Sequence, residues 1–303
     1  MRPSNRPIHL LSVAVLAAAL LAITAVAQRD DASLIVTDDL GTEVRLGKPA
    51  QRVVSLAPSA AECLFFVGAG KQVVGVVEYS DYPAGARRLP SVGTFSNPDV
   101  ERIFALRPDL AVVAYGNPQA LASRLRQRGV AVYVQNPDTV DEVFGNLADL
   151  AKLTGHTPEA SAGITRLKRR LSSVQMRVQG RPAVSSAVIV SAQSPLVIAG
   201  AKSHIHDALR LAGGKNVAAN LDSAYPTMSV EALARTDPET LFVPDSGATT
   251  LGQFSRRPGI RSTRAGKENR IHALTADLVM RPGPRLIDAI ERMARLLHPG
   301  AFS

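Results

Sequence analysis

One stretch near the middle of the chain limits its architecture more than any other. Between residues 157 and 180, Ile164, Leu167, Leu171, Val174 and Val178 recur at helical spacing, with Arg166, Lys168, Arg169 and Arg170 among them. Thr157 is suited to cap such a helix, Pro158 to its first position and Glu159 to the positive end of its dipole, and Gly180 and Pro182 end it. About 22 residues at 1.5 Å each make a rod of about 33 Å. That is too long and too uninterrupted for an ordinary strand-to-strand crossover, and it sits mid-chain. It reads as a strut between two lobes.

On either side of it, short β-branched runs alternate with helical stretches. In the first half a hairpin is expected over 34–36 and 43–46, with strands at 52–56, 72–77, 109–114 and 130–135. Helices are expected at 59–67, closed by Gly68-Ala69-Gly70, and at 119–128 and 140–153. The second half offers strands at 187–190, 240–243 and 271–273, and helices at 204–212, closed by Gly213-Gly214, and at 286–297. Such alternation predicts a mainly parallel sheet with helices on both faces. The expected fold is α/β: two Rossmann-like lobes, 32–153 and 183–303, joined by a single long rigid helix within 154–182. The halves also echo each other. Val100-Glu101-Arg102-Ile103 leads to Pro108-Asp109-Leu110, and Val230-Glu231-Ala232-Leu233 leads to Pro238-Glu239-Thr240. Twin lobes on a strut place the ligand site in the cleft between them.

The first 27 residues are set apart from both lobes. Arg2 and Arg6 precede an apolar run from Leu10 that ends in Ala25-Val26-Ala27, the pattern of a secretory signal peptide cut after Ala27. An uncleaved membrane anchor is the alternative, and the Ala-rich run with its A-x-A ending argues against it. No cysteine follows the run to carry a lipid, since the single cysteine is Cys63. The expected location is therefore the periplasm. Cleavage takes two of the 35 basic residues and none of the 26 acidic ones, leaving about +7. Export excludes nucleic acid as a natural partner, and the 46% hydrophobic composition excludes a disordered chain.

Catalytic motifs fail one by one. Gly68-Ala69-Gly70-Lys71 lacks the phosphate-loop spacing and its hydroxyl, and there is no G-x-S-x-G or H-E-x-x-H. Cys63, inside an apolar helix, reads as core filling. Outside the export segment, His204-Ile205-His206-Asp207 is the one histidine cluster. An i, i+2 pair on a helix points in opposing directions, so it holds no common metal. His206 and Asp207 read as first-turn capping residues, and His204 as a candidate for the cleft. No catalytic residue, metal site or resident cofactor is expected. Glu101 and Glu231 each fall in the first turn of a helix, behind Asn97 and Ser229 as N-caps, where a carboxylate offsets the dipole. Their matching positions, one per lobe, also suit two basic sites on a symmetric partner. Tyr79 and Tyr82, Phe95, Tyr115 and Tyr225 all lie in Pro/Gly-rich loops, where rings fill a core badly and stack on a flat ligand well.

Several segments together resemble the periplasmic binding proteins that serve iron-complex and vitamin B12 ABC importers. They are Asp38-Asp39-Leu40-Gly41, Arg52-Val53-Val54-Ser55-Leu56-Ala57-Pro58-Ser59, Gly75-Val76-Val77-Glu78-Tyr79-Ser80-Asp81-Tyr82-Pro83, Val92-Gly93-Thr94-Phe95-Ser96-Asn97-Pro98, Ala212-Gly213-Gly214 and Arg281-Pro282-Gly283-Pro284-Arg285-Leu286. The likeness spans the whole mature chain. The Tyr-Ser-Asp-Tyr-Pro and Arg-Pro-Gly-Pro-Arg segments resemble the cobalamin-binding branch. The resemblance implies a monomer that opens only slightly around a corrinoid such as vitamin B12. Tyr79, Phe95 and Tyr115 would meet the ring from the first lobe, and Tyr225, Asp277 and Arg281 from the second. Glu101 and Glu231 would dock onto arginines of an inner-membrane ABC permease dimer. Val197 and Leu278 depart from the family in standing where aromatics are common. The alternative ligand is haem or a ferric siderophore, with Tyr82 on the iron and Arg281 on ligand carboxylates. A chelatase-like enzyme and a ligand sensor are the remaining alternatives.

Overall fold

The strut is present as one helix. In the computed structural model, which describes residues 33–245 and 251–303, Thr157–Val178 runs without a break. The export segment lies outside the described residues. Leu167, Leu171 and Val174 form its buried stripe, with Ile164 and Val178 packed at the margin, while Arg166, Lys168 and Arg169 face solvent. Its start differs from expectation. The N-cap is His156, which offers no side-chain cap, and Thr157 and Pro158 already belong to the first turn. The preceding helix ends at Gly155 with φ +80°, which leaves one residue to make the corner.

In chain order, the first lobe contains strands β1 (Leu34–Thr37), β2 (Glu43–Leu46), β3 (Val53–Ser55), β4 (Val73–Val76), β5 (Leu110–Ala114) and β6 (Ala131–Gln135). Its helices are α1 (Pro58–Phe66), α2 (Val100–Ala105), α3 (Gln119–Gln127) and α4 (Val140–Thr154), and the strut is α5. β1 and β2 form the expected antiparallel hairpin. The Asp38 carboxylate accepts from the backbone N–H of Leu40 and Thr42 at 3.1 and 2.8 Å, which tightens the turn. The other strands make a parallel sheet in the order β4-β3-β5-β6, buried on both faces, hence the unbroken apolar runs.

The second lobe contains β7 (Val184–Ser191), β8 (Leu196–Ile198), α6 (His204–Leu211), β9 (Gly214–Asn216), β10 (Thr227–Met228), α7 (Val230–Arg235), β11 (Thr240–Asp245), α8 (Leu251–Ser255), α9 (Pro258–Arg261), α10 (Arg264–Lys267), β12 (Ile271–Thr275), α11 (Ala276–Met280) and α12 (Leu286–Leu297). Its sheet, β10-β8-β7-β11-β12 with β9 also on β7, is mixed: β8 and β10 run antiparallel. The internal echo is structural. Arg107 and Asp237 both adopt left-handed φ, +46° and +45°, just before Pro108 and Pro238. Each then hands the chain to a central strand, β5 or β11.

One apolar core runs through both lobes. It joins Leu64 and Leu150 of the first, Leu167 and Leu171 of the strut, and Ile205 and Ile290 of the second. Each lobe adds a smaller cluster on its outer face, under α2 and α3 in one and α7 to α10 in the other. Swinging the lobes far apart would expose the shared core to water, so the packing opposes a wide hinge.

Candidate ligand-binding cleft

The lobes enclose a cleft of about 560 Å³. Tyr79, Phe95 and Tyr115 line it from the first lobe, and Tyr225, Lys202 and Arg281 from the second. Tyr79 is 80% exposed and Tyr115 65%, and aromatic surface left open to water in a concavity is what a ligand covers.

Each ring has a local cause for its position. β4 runs into a turn in which Tyr79 takes φ +62°, a conformation that costs a tyrosine about 1–2 kcal/mol. Across the cleft, Arg281 donates to the Tyr79 carbonyl at 3.3 Å and helps hold it there. Phe95 and Tyr115 are organised by Asn117, a buried side chain. Its amide donates to the carbonyls of Leu56 at 2.9 Å and Phe95 at 2.7 Å, and its oxygen accepts from the N–H of Ala114 at 2.9 Å. Gly116, at φ +98°, lets the Phe95 ring approach where a Cβ would stand 2.9 Å from it. Tyr225 is half-buried against the central core, and burial pushes its hydroxyl pKa up to about 12, so it stays a neutral phenol.

The charges in the cleft are unequal in their freedom. Lys202 is paired with Asp222 at 2.7 Å. Arg281 is held by Asp81 at 2.9 Å, Glu62 at 3.0 Å and Asp277 at 3.0 Å. Burial opposes the charge on Arg281, yet the hydrogen bonds to Asp81 and Glu62 outweigh it and raise its pKa. The carboxylates of Glu78 and Asp138 also line the cleft and have no ion-pair or hydrogen-bond partner among the described residues. Burial, then the neighbouring Glu142, pushes the Asp138 pKa up, against the nearby Lys202 charge, which pulls it down.

Two candidate ligand residues are placed elsewhere. Tyr82 does not line the cleft; its ring lies under the Arg285 guanidinium, 4.0 Å from ring centroid to Cζ, in a separate groove. Asp277, in the first turn of α11, is engaged with Arg281 and is not among the lining residues. His204 lines the cleft, but its Nε2 lies 3.0 Å from the Val279 carbonyl and burial lowers its pKa to about 4. Ser203 caps α6, whereas His206 pairs with Asn216. Asp207 crosses between lobes to accept from the N–H of Val140 at 2.9 Å. Cys63 is fully buried, and burial pushes its thiol up to about 12. Among the described residues no three His, Cys, Asp or Glu side chains group to hold a metal.

Glu101 and Glu231 are exposed in the first turns of α2 and α7. Ser229 caps α7 as expected, but Asp99 rather than Asn97 caps α2, accepting from Glu101 and Arg102 N–H groups at 3.1 Å. Asn97 precedes a proline and is thereby restricted to extended backbone. Glu231 is hydrogen-bonded by its own backbone N–H and the Ser229 hydroxyl, which lowers its pKa.

The residue that sequence reasoning missed is Glu62. Its side chain is 1% exposed, yet it accepts from Arg281 at 3.0 Å and from Nη2 and Nε of Arg285 at 2.6 and 2.7 Å, all from the opposite lobe. A carboxylate inside the apolar run Ala61-Glu62-Cys63-Leu64 was the available signal, because such a group is buried only with partners.

Two α/β lobes on a helical strut, with a ring-lined cleft between them, define the architecture of a two-lobe binding protein. The comparisons agree: residues 53–278 match the periplasmic binding protein family, and the chain belongs to it. It is 29% identical over 245 residues to the vitamin B12-binding protein of Vibrio parahaemolyticus, spanning 80% of this chain and 88% of that one. The crystal structure of the vitamin B12-binding protein BtuF of Vibrio cholerae superposes with a TM-score of 0.74 at 27% identity, covering 84% and 99% of the two chains. A periplasmic heme-binding protein from Pseudomonas aeruginosa superposes with a TM-score of 0.72 at 27% identity, covering 82% and 93%.

Proposed function

We propose that this protein captures a corrinoid in the cleft and delivers it to an inner-membrane ABC importer, with no catalysis of its own. The observation that carries the ligand class is the charge state of the cleft. Arg281 is largely buried and held by three carboxylates. Lys202, exposed and paired with Asp222, also faces the charge of Asp138. The Glu78 and Asp138 carboxylates, by contrast, make no ion pair or hydrogen bond among the described residues. A corrin ring carries neutral amide side chains, whose N–H groups suit free carboxylates. Haem propionates and the anionic groups of ferric siderophores need free cations, and would stand against Glu78 and Asp138 instead. Tyr79, Phe95, Tyr115 and Tyr225 supply apolar ring faces for the macrocycle. The similarity to vitamin B12-binding proteins supports the same ligand.

Glu101 and Glu231, at the same point of the two repeats, are our candidates for docking on a two-fold permease. The chain has no Trp, and three of its five Tyr (Tyr79, Tyr115 and Tyr225) line the cleft, so a large part of the tyrosine emission reports on it. Titration with cyanocobalamin is expected to quench that emission and to give a saturating calorimetric isotherm. Saturable binding of haemin with a Soret shift, and none of cyanocobalamin, would overturn the corrinoid assignment.

A further inference from the structure

A second concavity, of about 390 Å³, lies away from the cleft, where α1, the strut and the start of α12 meet. Its walls are the rings of Phe65, Phe66 and Tyr82, with Leu167, and they come from the first lobe and the strut. Pro284 and Arg285 close it from the second lobe. The two phenyl rings are seated by glycine. A Cβ on Gly70 or Gly85 would stand 2.7 Å from the Phe65 ring, and one on Gly163 would stand 2.8 Å from Phe66. Tyr82 is covered on one side by Arg285 and is otherwise 45% exposed. The groove is thus an aromatic box already formed, and not a gap that side chains could refill.

Its charge is lopsided. Arg285 is consumed by Glu62, and Arg170 by Asp288 at 2.6 Å and Glu291 at 2.9 Å. Arg166, on the same face of the strut one turn earlier, lines the groove with no partner among the described residues. Glu62 and Asp288 also line the groove but are engaged with Arg285 and Arg170, so three ring walls and one unpaired guanidinium at the edge suit a flat apolar body bearing one negative charge.

We propose that this groove is a second ligand site that takes a small aromatic carboxylate of one or two rings, with its carboxylate on Arg166. The size suits such a molecule. The groove shares no lining residue with the cleft, and Glu62 joins its Arg285 to Arg281 of the cleft.

The test uses the mature chain and calorimetry with 2-naphthoate and its neutral counterpart 2-naphthamide. Losing a charge-assisted hydrogen bond to Arg166 is worth about tenfold or more in affinity. Naphthoate is therefore expected to bind at least about tenfold tighter than the amide. In Arg166→Gln, an exposed substitution on an intact helix, that preference disappears. In Tyr115→Ala, which alters only the cleft, both affinities stay as they were. The proposal is overturned if naphthoate shows no measurable binding, if the two probes bind alike to the unaltered protein, if Arg166→Gln retains the preference, or if Tyr115→Ala abolishes binding.

Discussion

The two lobes share a plan and differ where they face each other. Both enter their central strand from a helix first turn carrying Glu101 or Glu231, through a left-handed residue before proline. At the cleft the first lobe supplies three rings, Tyr79, Phe95 and Tyr115, while the second supplies one ring and two cations that are already paired. The frame has been kept through the repeat, and the facing surfaces have diverged into an aromatic wall that also carries the Glu78 and Asp138 carboxylates and a polar one that carries the cations. What keeps those unlike walls at a fixed spacing is a set of contacts that cross between them: Glu62 with Arg281 and Arg285, Val140 with Asp207, and the continuous core.

The most severe way to break this relation is to remove the carboxylate at its centre. Glu62→Ala leaves Arg285 without a carboxylate and Arg281 with only Asp81 and Asp277, and removes the anion that the two largely buried arginines share. Removing one partner of a buried ion pair costs about 3–5 kcal/mol, to be read in urea unfolding. The Arg170 pairs with Asp288 and Glu291 are more than a quarter exposed on every side chain, so Arg170→Met is expected to cost no more than about 1 kcal/mol. Equal losses in the two variants would show that Glu62 is no special tie between lobes.

The polar wall contains a second test in His204. Burial holds its pKa near 4, against 6.5 for an unburied ring. Below pH 6.5 the unfolded chain takes up a proton that the folded one refuses. Stability is therefore full above pH 6.5 and is lost as the pH falls toward 4, by on the order of 3 kcal/mol. His206 and His272 are shifted in the same direction, also first by burial, but are only partly buried. Subtracting the curve of His204→Gln from that of the unaltered protein isolates the His204 contribution. A flat difference between pH 6.5 and 4 would place the ring in contact with solvent.

Glu62 also shows where sequence reading stops, whereas His204, read as a candidate for the cleft, does line it. The strut was legible because one stripe, Leu167-Leu171-Val174, fixes a helix without reference to anything distant. The hairpin was legible because Asp38 and Gly41 set its turn locally. The rings at the cleft were legible as residues badly suited to a core. Glu62 was not singled out, because its partners are 219 and 223 residues away and nothing local marks them. For the same reason Asp207 reads in the sequence only as a first-turn residue of its own helix, where it does bind Arg210, while its other carboxylate oxygen serves Val140, 67 residues earlier. Tyr82 was grouped with Tyr79 by proximity in sequence; the turn between them sends the two rings to different concavities.

The difference between the walls can be sharpened with ligand. Tyr115 is open to solvent, whereas Tyr225 is packed against the central core. Tyr115→Ala is expected to weaken cyanocobalamin binding about tenfold, roughly 1.4 kcal/mol, with the unfolding midpoint unchanged. Tyr225→Ala is expected to lower affinity and stability together, because its ring also fills space. Calorimetry and urea unfolding on the same two preparations separate these outcomes. A stability loss in Tyr115→Ala as large as that in Tyr225→Ala would contradict the assignment of its ring to the ligand.

The smallest effect on the fold is expected at Glu101 and Glu231, where the repeat is most faithful. Both are exposed, so Glu101→Lys and Glu231→Lys should each leave unfolding free energy within about 0.5 kcal/mol of the unaltered protein. Their consequence lies outside the molecule. A two-fold partner reads both sites with the same surface, so either reversal alone should weaken docking to the importer by a similar factor, and the double reversal by about the product of the two. Binding of ligand-loaded protein to importer in proteoliposomes measures this. If only one of the two reversals weakens docking, the partner reads one lobe alone, and the matched placement of the acids reflects shared helix starts, not a shared interface. If both weaken it alike, the frame that the lobes have in common is itself the docking surface. The constraint on the repeat would then come from the partner's symmetry, while the cleft remained free to diverge.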